Sequence, residues 1–339
     1  MSKYRVKVAT DHLATKRQQI FNAFVKDIES GKLKVGERLP SINEFAEINN
    51  VGRDTIERAY KMLKEKGFVA SSPSRGYFVM KKKKNTHLRV LLIFNKLSSF
   101  KKIVYYSFLE ELGSKATVDL QIHHYSPKIL KDILDANLGK YDYYVIMPHF
   151  FADADMDECV NVCKTIPPHE LIILDKHLPQ LGAYCKSVYQ DFKGDIYDAL
   201  RSLLDVVKKY ERICLVFPKD IHHPKEIIEG VRLFCNEQKL LFSITDIAGI
   251  KKIRRSTMYI VIEEDDLAKL IKLVRTTSLT MGKEMGVISF NETVLKELLD
   301  ISVITTDFDQ MGRDAAHLVL QKECAQLKNP FQVIQRGSI

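Results

Sequence analysis

The stretch Gly36-Glu37-Arg38-Leu39-Pro40-Ser41-Ile42-Asn43-Glu44-Phe45-Ala46, followed by Val51-Gly52-Arg53-Asp54-Thr55-Ile56-Glu57-Arg58-Ala59-Tyr60, decides how the first quarter of the chain folds. Ser41 stands where a helix N-cap is wanted, with Glu44 three residues on to complete a capping box. The helix it opens carries Ile42, Phe45 and Ala46. The next helix runs from about Arg53 to Lys66. Ile56, Ala59, Tyr60 and Leu63 recur there at helical spacing, which leaves Arg53, Asp54, Glu57, Arg58 and Lys61 outward. Upstream, Ile20, Phe21, Phe24, Val25 and Ile28 mark an amphipathic helix from about Thr15 to Ser30, which Gly31 ends. Downstream, Phe68-Val69-Ala70 and Tyr77-Phe78-Val79 read as strands around the turn-rich tip Ser71-Ser72-Pro73-Ser74-Arg75-Gly76. Helix, turn, helix and hairpin in that order predict a winged helix-turn-helix with arginine at the start of its second helix.

The charge agrees with that assignment. The 339 residues carry a formal net charge of +9. Residues 1–84 hold 19 Lys+Arg against 9 Asp+Glu, or +10, and the remainder sums to −1. All of the positive excess lies on the first quarter, as expected of a module that meets phosphates. A reading helix presents its first side chains to base edges in the major groove, and the planar fork of arginine fits guanine O6 and N7 together. Arg53 begins that helix, Arg38 precedes the supporting helix, and Arg75-Gly76 at the wing tip can reach the minor groove or the backbone.

Lys81-Lys82-Lys83-Lys84-Asn85-Thr86 is a polar linker. From Leu88 the pattern changes to apolar runs alternating with helical segments. The runs are Val90–Phe94, Leu120–His123, Tyr143–Met147, Leu171–Leu174, Ile213–Phe217, Met258–Ile262 and Val287–Phe290. Between them lie Ile103–Leu112, Ile129–Ala136, Asp195–Val207, Glu226–Phe234 and Leu267–Val274. Such alternation predicts parallel sheets wrapped by helices, and its length calls for two α/β lobes. The domains are therefore expected at 1–80 (winged helix-turn-helix), 81–87 (linker) and 88–339 (a two-lobed, doubly wound α/β body for effector binding and dimerisation).

Several function classes find no support. No apolar run approaches the ~20 residues of a membrane span, and Met1-Ser2-Lys3-Tyr4-Arg5 leads into a polar stretch, so the chain reads as cytoplasmic with no membrane partner. Cys159 and Cys163 share a helix face, but Cys185, Cys214, Cys235 and Cys324 are scattered and no Cys-x-x-Cys occurs. Buried thiols are expected rather than a metal site. The pairs His123-His124 and His222-His223 lack ligand spacing. No phosphate loop of the form Gly-x-x-x-x-Gly-Lys, no Gly-x-Ser-x-Gly elbow and no Ser-x-x-Lys context of the kind that holds pyridoxal phosphate is found. No cofactor, catalytic residue or metal is expected.

Residues 31–79 resemble the winged helix-turn-helix of GntR-type transcriptional regulators. The marks are Gly31-x-Leu33, Gly36-x-x-Leu39-Pro40-Ser41, Val51-x-Arg53-x-Thr55-Ile56, Leu63, Gly67 and Gly76-x-Phe78-Val79. By position, the resemblance implies DNA contacts at Arg53 and Thr55 and a wing tip at Gly76. Asn43 and Glu57 depart from it, since arginine is frequent in the family at both places. The expected DNA-binding set is Arg38, Ser41, Arg53, Thr55, Arg58, Arg75 and Gly76.

Residues 88–339 resemble the effector domain of LacI/GalR regulators, which is related to periplasmic sugar-binding proteins. The pieces, in order, are Leu171-Ile172-Ile173-Leu174-Asp175-Lys176-His177-Leu178-Pro179, Val188-Tyr189-Gln190-Asp191-x-x-Gly194, Gly286-Val287-Ile288-Ser289-Phe290-Asn291, Thr305-Thr306-Asp307-Phe308-x-x-Met311-Gly312 and Val333-Ile334-Gln335-Arg336-Gly337-Ser338. A GntR-type head on such a body resembles the arabinose-type regulators. The resemblance implies a repressor of a sugar-utilisation operon that binds double-stranded operator DNA as a homodimer and answers to a monosaccharide such as arabinose or fucose. Asp175, Asn291 and Phe308 match effector contacts by position. Asn95, Ser98, Phe100, His149, Lys176, Asp191, Asp265 and Asp307 join them as strand-end loop residues able to bind hydroxyls or cover a sugar face. Ile227 stands where the family has arginine, with Lys225 and Arg232 as nearby substitutes. A catalytic body or a purely dimerising one remains as the alternative reading.

Overall fold

The structure, a computed structural model, describes residues 4–6, 8, 15–72, 75–80, 87–151, 153–218, 223–321 and 325–339. Lys81–Thr86, Pro73, Ser74, His222 and Cys324 lie outside the described residues.

The head comprises α1 (Lys16–Glu29), α2 (Ile42–Asn49), α3 (Arg53–Glu65) and an antiparallel hairpin of β1 (Val69–Ser72) and β2 (Gly76–Val79). The capping box forms: the Ser41 hydroxyl accepts from the Glu44 amide at 3.1 Å while the Glu44 carboxylate accepts from the Ser41 amide at 3.4 Å. Phe21, Phe24, Phe45, Ile56, Tyr60 and Leu63 close one apolar core. Tyr60 meets Phe24 edge-on and donates its hydroxyl to the Pro40 carbonyl at 2.9 Å, which ties α3 to the turn before α2. Gly76 has φ of +95°, a conformation open to glycine at low cost, and it turns the wing.

The first lobe runs β3 (Leu88–Phe94), α4 (Ser99–Leu112), β4 (Ala116–Ile122), α5 (Pro127–Asn137), β5 (Tyr143–Ile146), α6 (Met156–Cys163), β6 (Leu171–Lys176) and β7 (Lys186–Gln190). The chain then crosses into α7 (Phe192–Ser202), α8 (Leu204–Val207), β8 (Arg212–Val216), α9 (Glu226–Gln238), β9 (Leu241–Thr245), β10 (Thr257–Val261), α10 (Glu264–Arg275), β11 (Gly286–Phe290), α11 (Val294–Leu298) and β12 (Ser302–Thr306). It returns through α12 (Phe308–Leu320) and β13 (Gln326–Lys328) to the first lobe, and β14 (Phe331–Ile334) closes the second. The first sheet has the order β13-β7-β6-β5-β3-β4 and is parallel throughout. The second, β14-β12-β11-β10-β8-β9, is parallel except for antiparallel β14.

The expected α/β body with two lobes is therefore present, and each lobe fills both faces of its sheet with apolar side chains. The single helix expected over Asp195–Val207 is instead two, α7 and α8, broken at Leu203. Among the described residues no helix is long and apolar enough to cross a membrane, and no group of three or more His, Cys, Asp or Glu is placed to hold a metal ion. Cys159 and Cys163 are buried free thiols, and burial pushes the Cys163 thiol up to about 12.

Candidate functional site

Two regions gather chemistry. The first is the outer face of the head. Arg53 and Arg58 project from α3 and are exposed, and Thr55 is half-buried beside them. Exposed Arg38 lies across from the wing, bridged to Phe78, and its guanidinium fills the space over Gly76. Arg75 is exposed at the wing tip. Among the described residues, none of these four arginines forms an ion pair. A row of exposed cations without carboxylate partners keeps its capacity for phosphates and base edges. Ser41 sits apart from that row chemically, because its hydroxyl is engaged in the capping box. Asn43 is exposed on α2 and Glu57 on α3, so the face is not purely basic.

The second region is a cavity of about 260 Å³ between the lobes, small against the ~300–1,000 Å³ of drug-sized sites. It opens at the carboxyl ends of strands from both sheets, where open α/β folds place ligands. Asn95 and Lys96 follow β3, His149 follows β5, Asp175 ends β6 and Gln190 ends β7. From the second lobe come His223 and Ile227, then Glu263 after β10, and Phe290 and Asn291 from β11.

Asp175 organises the first-lobe wall. It is 6% exposed and adopts φ of +77°, a conformation uncommon for a residue with a side chain. One carboxylate oxygen accepts from His149 Nε2 at 2.9 Å and faces Lys101 Nζ at 3.5 Å; the other accepts from Gln190 Nε2 at 2.5 Å. Burial works against its ionisation, but the His149 ring, the Lys101 ammonium and the Gln190 amide outweigh it and hold the carboxyl well below the usual carboxylate range. Lys101, buried on α4, also donates to Asn95 Oδ1 and touches Met147 Sδ at 3.3 Å. Burial lowers its pKa against the opposing pull of Asp175.

The second-lobe wall has its own arrangement. His223 Nε2 lies 2.7 Å from Glu263 Oε1, and that hydrogen bond lowers the Glu263 pKa despite burial. Lys296, 2% exposed on α11, donates to the carbonyls of Phe290 at 2.6 Å and Asn291 at 2.9 Å. It thereby fixes the strand end that holds Asn291 at φ of +62°. Phe100 and Phe308 stack at 5.1 Å between centroids and present an aromatic surface to the cavity.

Of the effector residues expected from sequence, Asn95, Ser98, Phe100, His149, Asp175, Asn291 and Phe308 line this cavity. Lys176, Asp191, Asp265 and Asp307 do not, and each has a structural reason. Asp191 caps α7, accepting from the Gly194 amide at 3.1 Å. Asp307 caps α12 through the Gln310 amide at 2.9 Å. Asp265 is exposed in the first turn of α10, where acids favour the helix dipole, and Glu263 and Glu264 take the cavity side. Lys176 follows Asp175, whose φ of +77° interrupts the regular strand, and it is half-buried outside the cavity lining. Ile227 lines the cavity, whereas Lys225 and Arg232 are exposed elsewhere; the Arg232 guanidinium lies 5.9 Å from the Phe242 ring centroid. The cavity's cations are instead Lys96, Lys101 and Lys296, on elements whose helical or loop patterns gave no sign of the cleft.

Together, an exposed arginine face on a winged helix-turn-helix and a polar cleft between two parallel-sheet lobes define a class by architecture: a winged helix-turn-helix head joined to a two-lobed α/β body. Comparison with known proteins gives that class its relatives. Residues 16–79 match the family described as bacterial regulatory proteins, gntR family. The HTH-type transcriptional regulator YhdI of Bacillus subtilis is 36% identical over 61 residues, covering 18% of this chain and 13% of YhdI. The HTH-type transcriptional repressor YtrA of the same organism is 30% identical over 69 residues, covering 20% of this chain and 53% of YtrA. These segments span well under two thirds of either relative, so the likeness is one of heads.

The body is similar in fold to solved regulators. The trehalose repressor from Escherichia coli superposes with a TM-score of 0.58 at 17% identity, covering 73% of this chain and 99% of that one. A periplasmic binding protein/LacI transcriptional regulator from Alkaliphilus metalliredigens, complexed with D-xylulofuranose, gives 0.57 at 12% identity, covering 74% and 98%. The chain is thus a GntR-type winged head fused to a body of the LacI-like periplasmic-binding-protein fold.

Proposed function

We propose that this chain is a cytoplasmic, ligand-responsive transcriptional regulator that acts as a homodimer on operator DNA and represses a sugar-utilisation operon. The observation that carries the reading is the presence, in one chain, of four exposed arginines without ion-pair partners among the described residues and of a small inter-lobe cavity with aromatic and polar walls. Arg53, Thr55 and Arg58 read the major groove from α3, Arg38 supports them, and Arg75 with Gly76 brings the wing to the adjacent groove.

The effector is a monosaccharide, with arabinose and fucose the first to try. Phe100 and Phe308 cover its C–H face, while the Asn95 and Asn291 amides donate to its hydroxyls and the Glu263 and Glu264 carboxylates accept from them. Asp175 acts mainly by holding Lys101 and His149 in place, because its own oxygens are already engaged. The similar fold of a regulator complexed with D-xylulofuranose supports a sugar-sized occupant. Exposed Val294, Leu295 and Leu298 on α11 support pairing of two copies through the second lobe.

Ligand in the cleft changes lobe closure and hence the placement of the heads, which couples two sites through one two-state body. The test has two parts. A thermal-shift panel of monosaccharides identifies the stabilising sugar. A duplex enriched from a random pool by the full chain is then titrated with and without it. A change in DNA affinity at saturating sugar is the expected result; equal affinity in both conditions rejects effector control.

A further inference from the structure

The face of the first lobe opposite the cleft carries a contact that ligand binding and DNA reading do not explain. Lys66, which caps the C-terminus of α3, reaches off the head. Its ammonium donates to the Tyr141 carbonyl at 2.8 Å and to Glu170 Oε1 at 3.1 Å. Both charged side chains are only 11% exposed, unlike the open surface pairs elsewhere in the chain. The Met62 methyl, one turn earlier on α3, packs so closely on the body that a Cβ at Gly139 would come within 2.9 Å of it. The helix that carries Arg53 at its start is therefore anchored to the body at its end, and the arginine face stays exposed.

The anchoring residues have a particular place in the fold. Tyr141 lies two residues before β5, and Glu170 immediately precedes β6. The other ends of the same two strands deliver His149 and Asp175 to the cleft, which hydrogen-bond to each other at 2.9 Å. Glu170 and Asp175 are thus separated by roughly 16 Å of one buried strand, at the usual rise per residue. Strands packed on both faces move as units, because close-packed interiors transmit displacement rather than absorb it.

We infer that the base of the first lobe is a docking surface for the chain's own winged head, closed by the Lys66–Glu170 ion pair and Met62, and that β5 and β6 join this surface to the cleft. The docked head has its reading helix fixed relative to the body, so a change at the cleft reaches it through two rigid strands as well as through the linker. The inference rests on the regulator reading for its purpose, but the docking itself is measurable without DNA or sugar.

The experiment is a charge swap in the full chain, read by small-angle X-ray scattering and by hydrogen exchange of the amides at 139–144. Lys66→Glu alone and Glu170→Lys alone each leave a nearly buried charge facing its like, so the head is expected to undock. The radius of gyration should rise, and exchange at 139–144 should quicken roughly tenfold or more. The double variant Lys66→Glu/Glu170→Lys restores the ion pair, though not the bond to the Tyr141 carbonyl, and should bring both readings most of the way back to wild type, which also shows that the single variants did not simply unfold. Wild-type readings from both single variants, or no rescue by the double, overturn the inference. Rescue on mixing the two single variants places the head on the other copy's body and overturns the assignment to the same chain. If the pool yields no enriched duplex, it is the regulator reading that fails, and the scattering and exchange results stand independently.

Discussion

The head and the cleft both concentrate charge, and they do so in opposite ways. On the head, Arg38, Arg53, Arg58 and Arg75 are exposed and lack ion-pair partners among the described residues. In the cleft, Lys101, Asp175, His149, Gln190, His223, Glu263 and Lys296 are largely buried and are bound to one another or to backbone carbonyls. An exposed cation costs the fold little and awaits an outside anion. A buried one must be neutralised within the fold before it can serve a ligand. Substitutions should therefore separate cleanly: head arginines affect binding without affecting stability, whereas cleft charges affect both.

The largest expected effect lies in the cleft. Asp175→Ala removes the carboxylate that Lys101, His149 and Gln190 share and leaves a buried ammonium unpaired. A loss of about 3–5 kcal/mol in urea unfolding is expected. An unchanged unfolding midpoint would show that the cleft charges are as independent as those of the head. Next, Arg53→Ala should weaken binding to the enriched duplex by about 1–3 kcal/mol while leaving the thermal midpoint unchanged. If it destabilises the fold instead, the contrast fails on the other side.

A pH titration sharpens the comparison further. His123 lies beneath the cleft with Nε2 bonded to the Met147 carbonyl at 3.0 Å, and burial lowers its pKa from 6.5 to about 4. The folded ring stays neutral where the unfolded ring takes a proton. Its contribution to stability is complete above pH 6.5 and is lost as pH falls from 6.5 towards 4. Body stability measured over that window should decline, and His123→Asn should flatten the decline.

Smaller effects follow. Ser41→Ala should cost the head about 1 kcal/mol through loss of the capping box, seen in the unfolding of the head. Asp191→Ala and Asp265→Ala should leave affinity for the stabilising sugar unchanged by isothermal titration, since neither side chain reaches the cavity. A marked loss from either would redraw the cleft wall.

How much of this was legible in the sequence depended on whether a residue's role is local. The capping box, the inward stripe of α3 and the glycine of the wing depend on neighbours within a few positions, so spacing alone revealed them. So did seven body strands written as apolar runs. Lys186–Gln190, Leu241–Thr245, Ser302–Thr306 and Gln326–Lys328 contain polar residues and have no such run. Lys186 is buried in β7, where the carbonyls of Leu318 and Gln321, more than 130 residues away, receive its ammonium at 2.7 and 2.6 Å. Seven of the strand-end residues expected from sequence line the cavity, but a strand end offers both a cleft-side residue and a helix cap. Asp191 and Asp307 proved to be caps.

The sequence by itself determined a winged head at residues 31–79, the segregation of positive charge onto the first quarter, and an α/β body in two lobes. Those properties follow from short-range periodicity, turn chemistry and composition. Only the tertiary structure decided which charges are available and which are committed. That depends on partners brought together by the packing of helices on strands within each lobe, as when α4 supplies Lys101 to Asp175 of β6, or α11 supplies Lys296 to the end of β11. It also placed Lys66 against Glu170, joining head to body through a pair of charges that nothing in their sequence neighbourhoods connects.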